Sequence, residues 1–206
     1  RYYEESLALQ RQHGNVQGAA ISLSNLGATA YDQGDYAEAH RFFSEGLELR
    51  QLLGDRTGVA DSFAKLGRVA LRRGEHERAR AHYAASLALL RELGDRERIA
   101  SGMMGIGVLA LAREQVGRAV RLLGAADGIR HEIGAPLTAE ERADHERYLK
   151  AARERMGEGA LATLLAEGRA LSLQQALELA EEELAEEERE LAEEERAERE
   201  LAVPSP

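Results

Sequence analysis

The chain has no cysteine and no tryptophan, and only three phenylalanines and three prolines among 206 residues. Without cysteine it has no disulfide framework, no thiolate metal site and no thiol nucleophile. No apolar run approaches the roughly 18 residues of a membrane span, and the first residues do not read as a charged-then-apolar leader. The six histidines (His13, His40, His76, His82, His131 and His145) form no zincin-like or other two-histidine motif with a matched acid, and no serine stands in a nucleophile elbow. These absences give the expectation of a cytoplasmic, non-catalytic chain with no cofactor, no metal and no membrane contact. A start at Arg1, within a helical pattern, reads as part of a longer polypeptide.

Net positive charge is also missing. The net charge is −10, and thirteen Glu against three Arg from Ser172 to Pro206 account for all of it. Residues 1–171 hold 24 acidic and 24 basic residues, so the body shows no basic excess of the kind that tracks nucleic-acid backbones. The Arg-rich run RVALRRGEHERARAH at 68–82 is interrupted by Glu75 and Glu77 and has no aromatic stacking platform. No nucleic-acid contact is expected.

What the sequence does have is a period of forty residues. Gly14, Gly54, Gly94 and Gly134 fall in one column, and Gly27, Gly67 and Gly107 in another. Tyr3, Phe43, Tyr83 and Leu123 share a register, as do Leu9, Leu49, Leu89 and Ile129, and Ala39, Ala79 and Ala119. Within a unit the pattern is helical. Ile21, Leu23, Leu26 and Ala30 fit one helix face, Gly34-Asp35 is a stop followed by an N-cap, and a second helix follows to Gly54-Asp55. Each helix is amphipathic and buries its apolar face only by stacking on its neighbours. The fold class is therefore all-α, an α-solenoid of antiparallel helix pairs.

The period also disposes of a tempting motif. SGMMGIGV at 101–108 has three glycines in six positions, in the manner of a phosphate loop. It aligns with ISLSNLGA at 21–28 and DSFAKLGR at 61–68, so it lies inside the first helix of a pair, with no strand before it. Gly107 is then the shared packing glycine. Gly102 and Gly105 depart from the repeat and read either as tolerated small residues or as places where a ligand or partner backbone comes close.

Leu23, Leu26-Gly27, Ala39 and Phe43 resemble the tetratricopeptide pattern, as do Phe63, Leu66-Gly67, Ala79 and Tyr83. Met103, Ile106-Gly107, Ala119 and Leu123 follow it more loosely. The resemblance implies a superhelix whose first helices line a concave face that binds a peptide or protein. Asn25 matches the asparagine with which related repeats hold a peptide backbone, an amide being donor and acceptor at once. Lys65 and Gly105 stand at its equivalents, so there is no continuous asparagine ladder. By register the candidate partner-binding residues are Asn25, Tyr31, Lys65, Arg68, Arg72 and Met104, with Ser24, Ala28, Ala64, Val108 and Leu111 beside them. Lys65, Arg68 and Arg72 form a basic spot suited to a carboxylate.

A second resemblance covers 121–180. RLLGAA, IGAPL and EGRALSL resemble the C-terminal end of LuxR-type and related STAND-like ATPase regulators of bacteria, which implies a sensor arm whose ATPase and DNA-binding parts lie elsewhere. Three regions follow: a repeat array over 1–134 with a partial first unit and about three helix pairs, capping helices over 135–171, and a long acidic helix and tail over 172–206. Thr138 with Glu141 and Ser172 with Gln175 are capping boxes. Leu177, Leu184 and Leu191 recur every seven residues without a second apolar seam, so a long solvated helix is expected, with a homotypic coil or docking on a basic or apolar surface as the alternatives. The function expected is an interaction scaffold and sensor arm of a multidomain signalling or transcription regulator, with a peptide, a protein or a small inducer as partner. The competing expectation is weak self-association through the array or the acidic helix.

Overall fold

The computed structural model describes residues 2–185, the side chains of 139 and 140 excepted. The described residues form helices joined by short turns, and no strand occurs among them. In chain order the helices are α1 (Tyr2–Gln12), α2 (Val16–Asp32), α3 (Tyr36–Leu53), α4 (Arg56–Arg72), α5 (His76–Leu93), α6 (Arg96–Ala112), α7 (Val116–Ile133), α8 (Ala139–Met156) and α9 (Glu158–Arg169). A further helix occupies 173–185. Each helix packs against its sequence neighbours, and the pairs α2/α3, α4/α5 and α6/α7 repeat at the forty-residue stride. None of the described helices is long and apolar enough to cross a membrane.

Local chemistry sets this stride. Asn15, Asp35, Asp55 and Asp95 each accept a hydrogen bond from a backbone N–H three residues on, satisfying one of the open donors at a helix start. Gly54, Gly94 and Gly134 end their helices in the left-handed conformation, at φ 67°, 65° and 67°. At Asp35 only the aspartate side chain caps, because Glu38, three residues on, pairs with Arg41 at 2.6 Å. The box at Thr138 and Glu141 is complete, and Ser172 and Gln175 exchange the same two bonds at 3.0 and 3.3 Å.

The core runs along the stack. Leu23, Leu66, Met103, Ile106 and Leu122 are buried, and the column aromatics Phe43 and Tyr83 sit under the column glycines. A Cβ on Gly27 would fall 2.5 Å from the Phe43 ring, and one on Gly67 would fall 2.9 Å from Tyr83. These glycines are the sites of close approach that justify glycine in mid-helix, where it otherwise costs about 1 kcal/mol relative to Ala.

Past the array, α9 packs on α7 backbone to backbone. A Cβ on Gly124 would lie 2.5 Å from the Leu165 carbonyl oxygen, and one on Gly168 would lie 2.2 Å from that of Arg121. Arg121 pairs with Glu167, and Arg169 with Asp127, along the same contact. Asp127 also meets His145 of α8 at 3.1 Å. Burial alone would raise the Asp127 pKa, but the nearby His145 imidazole and the hydrogen bonds from Arg169 outweigh it and hold the carboxyl below its ordinary value.

The expectation of a solvated terminal helix fails over 173–185. Ala176, Leu177, Ala180 and Leu184 are buried in the cluster that holds α5, α6 and α7. Glu183 is fully buried, 3.2 Å from Arg118 and 3.6 Å from Arg113 at the α6–α7 corner. Arg91 pairs with Glu181 at 2.6 Å, and Arg80 donates to the Leu184 carbonyl. Leucines seven apart with an alanine between them make one apolar seam. That seam is too narrow for a two-stranded coil but sufficient to lie on the array itself. Leu191 and the rest of the expected acidic helix lie outside the described residues.

Candidate binding groove

The first helices of successive pairs, α2, α4 and α6, lie side by side, and α8 continues the row. Their common face holds a cavity of about 390 Å³. Tyr31 of α2, Lys65, Arg68 and Arg72 of α4, and Met104 of α6 line it, and Asp144 and Tyr148 of α8 face them across the opening. Five of the six candidate residues thus share one cavity. Asn25 does not reach it: it is half-buried one and a half turns before Tyr31, and its carbonyl accepts from the Thr29 hydroxyl at 2.9 Å.

The basic spot is organised around one ring. Arg72 Nε donates to the Tyr31 hydroxyl at 2.9 Å, and the Arg68 guanidinium lies 4.8 Å from the centre of the same ring. Tyr36 meets that ring edge-on at 5.5 Å and fixes its plane. The hydrogen bond to the Tyr31 hydroxyl favours the charged form of Arg72 and outweighs partial burial. Lys65 is committed to Asp61 at 2.7 Å, one helical turn away, and its ammonium lies 5.8 Å from the Phe43 ring centre. Glu141 is held by Arg130 at 2.7 Å and by its cap, and Asp144 by Arg147 at 2.8 Å. Lining carboxylates are therefore matched by their own bases, while Arg72 has no carboxylate partner among the described residues.

Register arithmetic missed part of the site. Ser24, expected on the open face, is buried and accepts from Arg50 Nη2 at 2.8 Å. Leu111 is buried against Ala110 and Ala119, away from the cavity. Conversely, Tyr83 was legible only as a packing aromatic, yet it lines the cavity. Gly105 is explained by that ring, because a Cβ there would lie 2.7 Å from Tyr83 Cε1. Gly102 is buried, yet a Cβ added to it would meet no atom within 4 Å: it opens onto the cavity.

Residues 1–51 match the family model for the tetratricopeptide repeat. That match, together with the all-helical repeat that continues through α7, supports a tetratricopeptide-repeat protein. No curated protein matches the chain. Such repeats indicate a protein-interaction scaffold and are typically non-catalytic.

Proposed function

We propose that the groove of α2, α4, α6 and α8 receives an acidic peptide or protein segment, and that the chain serves as the sensing arm of a larger bacterial regulator. The observation that carries the groove reading is the convergence of Tyr31, Lys65, Arg68, Arg72 and Met104 on one cavity in the helix row that repeats of this kind use for binding. Arg72, charged and hydrogen-bonded only to a neutral phenol among the described residues, is the natural partner for a carboxylate. The regulator role rests on RLLGAA, IGAPL and EGRALSL, which fall in α7, the α7–α8 turn and the α9 end. The test is fluorescence anisotropy against a library of acidic peptides, comparing the wild-type chain with an Arg68→Glu, Arg72→Glu double variant. The variant is expected to lose binding at least about tenfold. Identical peptide profiles for both proteins would remove the groove from the reading.

A second reading, self-association, has one observation in its favour. Tyr3 occupies the register of Phe43 and Tyr83 but is 46% exposed, and Tyr2, Leu9 and Ile21 are exposed with it. The apolar seam of 173–185, by contrast, is already spent on the chain's own array. Sedimentation at micromolar concentration decides: a clean monomer ends the second reading.

A further inference from the structure

The repeat places an arginine behind two of its three first-helix crevices. Between α2 and α4, Arg50 donates to Ser62 at 2.5 Å and to Ser24 at 2.8 Å. Between α6 and α8, Arg130 donates to Ser101 at 2.6 Å and to Glu141 at 2.7 Å. At the middle crevice, between α4 and α6, the forty-residue equivalents are all smaller or apolar. Leu90 stands for Arg50, Ala64 for Ser24 and Gly102 for Ser62. All three line the cavity. The hollow is therefore the space that the other crevices give to a guanidinium and its partners.

The same crevice gains a polar group that the others lack. Tyr83 stands in the column of Phe43 and Leu123, and its hydroxyl is the difference. Tyr83 is 2% exposed, and its Oη has no hydrogen-bond partner. Burial pushes its phenol well above the usual tyrosine range, so it stays a neutral donor. A buried hydroxyl left without a partner is costly, and this one belongs to a residue that lines the cavity. Ser86 beside it is already bonded to the Ala60 carbonyl at 2.8 Å. Leu71, Leu90, Met104 and Val108 supply apolar wall, and Asp61, Arg98, Ser101 and Glu141 supply polar wall. A volume of about 390 Å³ falls in the range of small-molecule sites.

We propose that the α4–α6 crevice binds a small organic anion. Its apolar body fills the place of the missing arginine, an oxygen at its inner end accepts from Tyr83, and its carboxylate lies at the rim on Arg72. The inference rests on the groove being a binding face, and it names a ligand that reaches the floor beneath any peptide lying across the rim.

The probe is 6-hydroxy-2-naphthoate, with 2-naphthoate (no inner oxygen) and 6-hydroxy-2-naphthamide (no charge) as controls, titrated by calorimetry. Wild type is expected to bind 6-hydroxy-2-naphthoate saturably and in one-to-one ratio. Tyr83→Phe, which keeps the ring, should weaken it about tenfold and leave 2-naphthoate unchanged. Arg72→Gln should weaken both carboxylates and spare the amide. Gly102→Leu, which fills the hollow without touching either polar contact, should abolish binding while a circular-dichroism melt shows the fold intact. No saturable binding by wild type, or equal binding by wild type and Tyr83→Phe, overturns the proposal. Should Gly102→Leu unfold, the Tyr83→Phe comparison still decides. Peptide binding is read on a different ligand with rim variants, so intact peptide capture with no naphthoate binding sinks only the crevice site. The reverse pattern sinks only the peptide reading.

Discussion

The α2–α4 crevice and the α4–α6 crevice are built from the same repeat and contrast at four columns in particular. The first carries Arg50, Ser24, Ser62 and Phe43, and the second Leu90, Ala64, Gly102 and Tyr83. In the first the guanidinium is buried and hydrogen-bonded to both flanking helices, so the crevice is closed and polar groups face one another. In the second the closing groups are gone, and a cavity-lining tyrosine keeps a buried hydroxyl without a partner. A repeat conserves its stride through backbone geometry, namely caps, αL turns and close-packed glycines. Function enters where single columns break while the stride holds.

The largest effect should come from emptying the closed crevice. Arg50→Leu reproduces the middle crevice's residue but leaves Ser24 without its donor, and it creates a gap that the flanking helices cannot collapse into freely. A loss of about 2–3 kcal/mol is expected, read as a lower urea midpoint at unchanged slope. A variant as stable as wild type would show that Arg50 is not a filler, and the contrast between the crevices would lose its meaning.

Next comes the aromatic exchange. Phe43→Tyr would bury a second hydroxyl in the closed crevice, where the ring already crowds Gly27 at 2.5 Å from an added Cβ. It should cost about 1–3 kcal/mol. Tyr83→Phe removes the orphan hydroxyl and should be neutral, or stabilising by up to about 1 kcal/mol, in the ligand-free chain. Thermal melts of the two single variants therefore shift in opposite directions or by clearly unequal amounts. Equal losses would mean that Tyr83 Oη has a partner in solution.

Much of this was legible before any coordinates. The forty-residue columns fix the helix pairs, the αL glycines and the aromatic-over-glycine contacts, because each depends on residues close in register. Register also pointed to Tyr31, Lys65, Arg68, Arg72 and Met104, since a helix face follows from spacing alone. What it could not supply was depth. Ser24 stands seven positions before Tyr31 and so on the same helix face, yet a long-range bond to Arg50 holds it inward. The seam of Leu177 and Leu184 reads the same whether it meets water, another copy or α5 and α7, and only the tertiary contacts decide. Gly102 was visible as a departure, but its meaning depends on Arg50 reaching across twelve positions to Ser62, a pairing no local pattern announces.

The smallest expected effect tests whether the stride itself tolerates a broken column. Gly34 and Gly74 turn the chain between paired helices at φ 79° and 72°, and their forty-residue successor is Glu114, which holds φ 64° with a full side chain. An L-residue in that conformation costs roughly 1–2 kcal/mol, offset by the smaller backbone entropy it loses on folding compared with glycine. Glu114→Gly should therefore stabilise by about 0.5–1 kcal/mol, and Gly74→Glu should destabilise by a similar amount, both measured as urea midpoints. The two shifts ought to mirror each other, because the turns have the same geometry and the Glu114 side chain is exposed. A Glu114→Gly variant less stable than wild type would instead assign the glutamate a contact that holds this corner. The corner also carries Arg113 and Arg118, which clasp the buried Glu183, so such a result would tie the third pair's turn to the docking of the terminal helix rather than to the repeat.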